Sequence, residues 1–163
     1  MSKSAGGRHA VLKEIEEHLE AESTQNLGAL LEGMTGDCFN YVVCDPYQRS
    51  YVGPEQVTIR YQNLWRALPD LRVVLRRLVA IDGNLVVTEN QLSGTHAGSL
   101  FGVPGTGKPI TVDTTVIWEF RGGMIKGETV YFDLATMLRQ IGYLRLPGGG
   151  PKGDQPASRH ASP

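Results

Sequence analysis

From Lys108 to Asp133 two β-rich runs flank Arg121-Gly122-Gly123, and this pattern dictates a long two-stranded hairpin. Side chains two positions apart in a strand share a face. Ile110, Val112, Thr114, Val116, Trp118 and Phe120 therefore fall on one side of the first run, and Glu128, Val130 and Phe132 on one side of the second. If those two faces coincide, Glu128 looks into an apolar concavity. Desolvation there disfavours the charged carboxylate and moves its pKa toward the range useful for proton transfer. The alternative is a place at the rim, where Glu128 pairs with Lys126 or an arginine.

The rest of the chain supplies the partners of that hairpin. Val11, Ile15 and Leu19 recur every four residues within 8–22, the spacing of an amphipathic helix. A second, short helix is expected over Gln25–Gly33 and a strand over Asp37–Cys44, ended by Asp45-Pro46. Pro54 suits the first turn of a third helix, which runs to about Leu68 with Val57, Tyr61, Leu64 and Trp65 on one side. Leu71–Ile81 and Leu85–Ser93 flank Asp82-Gly83-Asn84, a strong hairpin signal. Asp133 can cap a closing helix, Leu134–Ile141, and Gly142 can end it. Helices segregated from strands in this order imply an α+β fold, with N-terminal helices packed on a curved, mostly antiparallel sheet around a cone-shaped cavity. Residues 8–146 form this single domain; 1–7 and the Gly/Pro-rich 147–163 are expected to be disordered.

Composition removes several function classes. A chain of 163 residues, 40% hydrophobic with a formal charge of −1, can hold one core unaided and is not basic enough to suggest nucleic acid. Its apolar runs fall short of the ~20 residues that span a bilayer, which implies a cytoplasmic protein with no membrane partner. Cys38 and Cys44 lie in one predicted strand, separated by roughly 20 Å at ~3.3 Å per residue, too far for a disulfide. No Cys or His cluster has metal-ligand spacing. Gly102 to Lys108 nearly matches a phosphate-binding loop, but Pro109 and a β-rich run follow where that motif needs Ser or Thr and a helix.

Gly53-Pro54-Glu55, Trp65 through Leu71, Gly94-Thr95-His96-Ala97-Gly98, Gly123-Met124-Ile125 and Tyr131-Phe132-Asp133 together resemble the SnoaL-like polyketide cyclases of the nuclear transport factor 2-like superfamily. The resemblance covers roughly residues 8–142. It implies a homodimer through the outer face of the sheet, and a cofactor-free enzyme acting on a small hydrophobic substrate in the cavity. More distantly the closing hairpin is similar to that of limonene epoxide hydrolase. The acid that such proteins carry three residues before the final aspartate falls on Val130, and the hydrolase's Arg and Asp fall on Asn90 and Leu92, so epoxide hydrolysis by that mechanism is disfavoured. In the cyclases a histidine commonly stands where this chain has Glu128.

Carried over residue by residue, the resemblance implies that even-numbered positions line the cavity: Cys38, Asn40 and Val42; Thr88, Asn90 and Leu92; Val112, Thr114, Val116 and Trp118; Glu128, Val130 and Phe132. Candidate catalytic groups are Glu128, Asn90 and His96, with Asn90, Asn40 or Thr114 orienting Glu128, or Asn90 and Asn40 binding a substrate carbonyl or hydroxyl. His96, on a glycine-rich loop, is placed to shuttle protons or simply to satisfy a tight bend. Tyr61, Trp65 and Trp118 are candidates for an aromatic wall, although aromatics at helical spacing are more often core. His9 and His18 on the first helix are poor site candidates. The expected function is a cyclase of secondary metabolism, working by acid/base assistance from Glu128 or by holding a flexible chain in a reactive shape. A non-catalytic module that binds an apolar ligand is the rival.

Overall fold

The computed structural model describes residues 3–47 and 49–145. Helix α1 (Lys3–Ser23) is followed by α2 (Leu27–Glu32), strands β1 (Met34–Val42) and β2 (Ser50–Val52), and α3 (Pro54–Ala67). Then come β3 (Arg72–Asp82), β4 (Leu85–Thr95), β5 (Pro109–Arg121), β6 (Met124–Phe132) and α4 (Leu134–Gln140). The predicted start of the first helix at residue 8 is too late, since α1 is helical from Lys3. The tail expected from 147 onward lies outside the described residues.

The strands form one six-stranded sheet in the order β2-β1-β6-β5-β4-β3. All neighbours are antiparallel except β1 and β6, which run parallel, so the sheet is mixed, curved and unclosed. The hairpin read from alternation is present: Thr114 faces Phe132, Val116 faces Val130 and Trp118 faces Glu128 across β5 and β6. The two inward faces therefore coincide. Even-numbered side chains of β5 are buried from Ile110 to Phe120, while odd ones are more exposed.

Register arranges the concave face in rows. Asn40, Glu128, Trp118 and Val86 form one row, Val42, Val130, Val116 and Thr88 the next, and Phe132, Thr114 and Asn90 a third. Helix α1 packs on β3, and α3 packs on β1 and β2. Ile15, Val57, Tyr61 and Leu68 bury completely or nearly so against the sheet. Each such side chain contributes ~1.5–3 kcal/mol of burial.

Local chemistry sets the ends of elements. Asn26 accepts from the Ala29 amide to cap α2, and Asp133 accepts from the Thr136 amide at 2.9 Å to cap α4, as its position after β6 predicts. Gly142 has φ 81°, a conformation that ends helices and suits a residue without Cβ. The segment Gly102–Lys108 opens no helix, in keeping with its rejection as a phosphate loop. Cys38 and Cys44 are free thiols, and Cys44 Sγ contacts the Phe132 backbone instead of lying in the strand as predicted.

Candidate active site

Above the third row of the concave face opens a cavity of about 390 Å³. Val42, Leu92, Val112, Thr114, Val130 and Phe132 form its sheet wall. Opposite them stand Leu64 of α3 and Leu68 at its C-terminal cap, Tyr51 of β2 and Met137 of α4. The remaining side is the 99–102 segment, where Phe101 stacks on Phe132 with ring centres 6.0 Å apart. That segment follows Gly98, where a Cβ would collide with the Arg66 carbonyl, so only glycine lets the loop seat against the end of α3.

The pocket also has a polar side. Asp45, 4% exposed, accepts from Arg49 Nε at 2.8 Å and Nη2 at 3.3 Å, and from the Tyr47 amide at 2.8 Å. Arg60, Asn63 and Arg66 of α3 line the same space. Asp45 is the carboxylate that faces the pocket among the described residues. Sequence reading took Asp45-Pro46 only as a turn, and its pocket role has no local signature: it depends on the chain between β1 and β2 folding back over the sheet.

Glu128 points inward but does not line this pocket. It is 3% exposed, accepts from the Tyr61 hydroxyl at 2.9 Å and lies 3.2 Å from His18 Nε2, which is itself 3.0 Å from that hydroxyl. Burial opposes the Glu128 charge, yet the His18 charge and the two hydrogen bonds outweigh it and hold the carboxyl below its ordinary value. For His18 burial likewise disfavours charge, and the Glu128 carboxylate outweighs it, so the imidazole pKa is raised. The two shifts describe a buried ion pair. Tyr61 is pushed well up, first by burial and then by Glu128. The alternative of a rim position, paired with Lys126 or an arginine, does not hold: Glu128 is buried, and Lys126 approaches Glu119. His18, read from the sequence as a poor site candidate, sits three residues after the core residue Ile15 on the apolar face of α1 and meets Glu128 without lining the pocket.

The other candidates divide between the two places. Trp118, fully buried, donates to Thr88 Oγ1 at 2.8 Å and stands edge-on to His18. Trp65 donates to the Glu22 carbonyl at 2.9 Å, and its ring neighbours that of Tyr61. Neither these aromatics nor Val116 and Thr88 line the pocket. Asn90 donates to Thr88 Oγ1 at 3.1 Å, while Asn90 Oδ1 and Asn40 Oδ1 are buried acceptors with no protein partner. Neither asparagine orients Glu128, and neither does Thr114, which faces the pocket instead.

His96 is buried within its loop. Its Nδ1 meets Thr106 Oγ1 at 3.0 Å, its backbone binds Thr106, Gly107 and Lys108, and burial lowers its pKa. It holds the bend and does not reach the pocket. No set of three or more metal-binding side chains converges among the described residues, and no described helix is long and apolar enough to cross a membrane.

No curated protein matches the chain at a significant level. Solved structures share the fold. A protein from Jannaschia sp. CCS1, provisionally named a SnoaL-like polyketide cyclase, is 20% identical with TM-score 0.73, covering 82% of this chain and 92% of its own. IdmH from Streptomyces antibioticus, provisionally named a polyketide cyclase, is 25% identical with TM-score 0.67, covering 81% and 98%. A Catenulispora acidiphila protein described as ketosteroid isomerase-like in fold is 19% identical with TM-score 0.68, covering 79% and 92%. The sequence profile of the SnoaL-like polyketide cyclases matches residues 13–141, well over half of the chain, and so the protein belongs to the SnoaL-like polyketide cyclase family.

Proposed function

We propose that this protein is a cofactor-independent cyclase of secondary metabolism that folds a hydrophobic, polyketide-like chain in the 390 Å³ pocket and closes a ring within it. The observation that carries this reading is a pocket-facing carboxylate, Asp45, the one such group among the described residues, set beside the Arg49 guanidinium and across from an apolar sheet wall. Asp45 takes a proton from a carbon between two carbonyl groups. The enolate carbon attacks a third carbonyl of the same chain, Arg49 offsets the negative charge that moves to oxygen, and Asp45 returns its proton to the new alkoxide. Substrate and ring product are isomers, so no oxidant or reductant enters. Holding both ends of the chain together removes much of the entropy cost of the step.

Glu128 is given a supporting role, since it lies outside the pocket with its Oε1 engaged by both His18 and Tyr61. A second reading is favoured by the engagement of Asp45 with Arg49 and by Val130 standing where such proteins carry an acid. In that reading the pocket accelerates a cycloaddition by shape alone. Incubation with linear polyketides, followed by mass spectrometry and NMR of the products, decides between these. A cyclised product lost in Asp45→Asn supports the acid/base cyclase; product retained in that variant supports shape control; ligand binding without product sinks both and leaves a binding module.

The proposal includes a homodimer through the outer face of the sheet. Exposed Val74, Leu85 and Tyr131, whose strand partners Gln91, Glu119 and Thr115 also face outward, support that surface. Light scattering on a size-exclusion column tests it, with a monomer at micromolar concentration as the contrary result.

A further inference from the structure

The pocket carries more positive charge than its carboxylate can balance. Arg60, Asn63 and Arg66 recur every third residue along α3, and side chains so spaced are neighbours on a helix surface. All three line the pocket. Arg66 Nη1 donates to Asn63 Oδ1 at 2.8 Å, and the Arg60 guanidinium lies 5.5 Å from the centre of the Tyr61 ring. Neither arginine makes an ion pair among the described residues. Glu22 and Glu128 act on Arg60 only from beyond ion-pair distance; both are buried and neither lines the pocket.

Across the opening, Asp45 is already bonded twice to Arg49. Three arginines and one carboxylate thus line the pocket, in a chain whose formal charge is −1. Two positive charges remain beside a wall made of Leu64, Leu68, Leu92 and Val112. A planar guanidinium fork fits a carboxylate with two parallel hydrogen bonds, stronger than those between neutral groups. Such a bond gains further strength at the edge of an apolar site, where water screens it less.

We infer that the ligand of this pocket is an amphiphilic acid, its hydrophobic body against the sheet wall and its carboxylate received by Arg60 and Arg66. The inference deepens the proposed function by naming the charge of the substrate, and it rests on that reading only in taking this pocket as the ligand site. A neutral polyketide of equal size would give neither guanidinium an anionic partner.

The test is equilibrium binding by isothermal titration calorimetry at pH 7.5 with two isosteric probes, 2-naphthoate and the neutral 2-naphthamide. The wild-type protein is expected to bind the acid about tenfold or more tightly than the amide. In the double variant Arg60→Gln, Arg66→Gln that preference falls to within about threefold while amide affinity holds. Circular dichroism confirms the fold, and Arg60→Lys, Arg66→Lys retains part of the preference because charge remains but the fork is lost. Equal binding of the two probes by the wild type, binding of neither, or an unchanged preference in the folded glutamine variant overturns the inference. A protein that prefers the acid but cyclises no linear polyketide sinks the cyclase reading alone. One that cyclises neutral esters undiminished by the glutamine variant sinks this inference alone.

Discussion

Two polar clusters occupy the same concave face one or two rows apart, and they have opposite fates. Asp45 and Arg49 border an open pocket, with the Arg49 side chain 46% exposed. His18, Glu128 and Tyr61 are sealed under α1 and α3, with the side chains of His18 and Glu128 1% and 4% exposed. An acid on an inward face is therefore not yet an acid a substrate can reach. Row position decides, because the helices cover the row that contains Asn40, Glu128 and Trp118 and leave the next rows open to the pocket.

The sharpest way to break this comparison is Glu128→Ala. Removing one partner leaves the other charge buried and unpaired, so the variant should lose about 3–5 kcal/mol of stability in urea unfolding. Glu128→Gln keeps the Tyr61 hydrogen bond and loses less. At equal folded fraction it should turn over or bind ligand within about threefold of wild type. A drop of 10² in turnover without loss of stability would return Glu128 to the chemistry.

The pH profile separates the sealed cluster from the pocket next. Burial, then the Glu128 charge, raises the Glu22 carboxyl to about 7. A raised acid binds its proton more tightly folded than unfolded, so its contribution is complete below the ordinary value of 4.5 and disappears as pH rises through about 7. The loss amounts to about 3 kcal/mol across that window. His18, also raised, adds a loss in the same direction as pH rises through its folded value. Glu128, lowered, has the opposite sign and withdraws stability only as pH falls below 4.5. Glu22→Gln should flatten the decline seen by thermal unfolding between pH 5 and 8; an unchanged slope would show that Glu22 ionises freely.

Asp45→Asn should cost turnover by roughly 10² while shifting stability by under about 1 kcal/mol, since Arg49 stays solvated and Asn can still accept from the Tyr47 amide. The reverse pattern would move Asp45 into the structural class. The smallest effect belongs to Asp133→Ala, which removes the cap of α4 and should cost about 1 kcal/mol. Because α4 carries Met137 into the pocket wall, ligand affinity should weaken a few-fold with it, measurable by the same calorimetry.

Much of the architecture was legible in the residues themselves. Period-two alternation in Ile110–Phe120 and Glu128–Phe132 reports which side chains share a face, because a strand has no other choice. Asp82-Gly83 and Asp133 state their turn and cap locally, and both stand where expected. Strand β2 escaped notice since Ser50–Val52 is too short for periodicity and exists only by pairing with Phe39–Tyr41. The parallel pairing of β1 with β6 carries no local trace either.

For the site, alternation told inside from outside and stopped there. Val42, Leu92, Val112, Thr114, Val130 and Phe132 reach the pocket, whereas Asn40, Thr88, Asn90, Val116, Trp118 and Glu128 share their face and do not. His18, Asp45, Arg49 and the α3 arginines join through contacts between segments distant in the chain, which no spacing rule encodes. The order of residues determined an α+β sheet with an acid on its inner face, since strand geometry acts between neighbours. The packing of α1 and α3 over one row decided that this acid faces a histidine and a tyrosine, and the path of the chain after β1 decided that another, Asp45, faces the pocket.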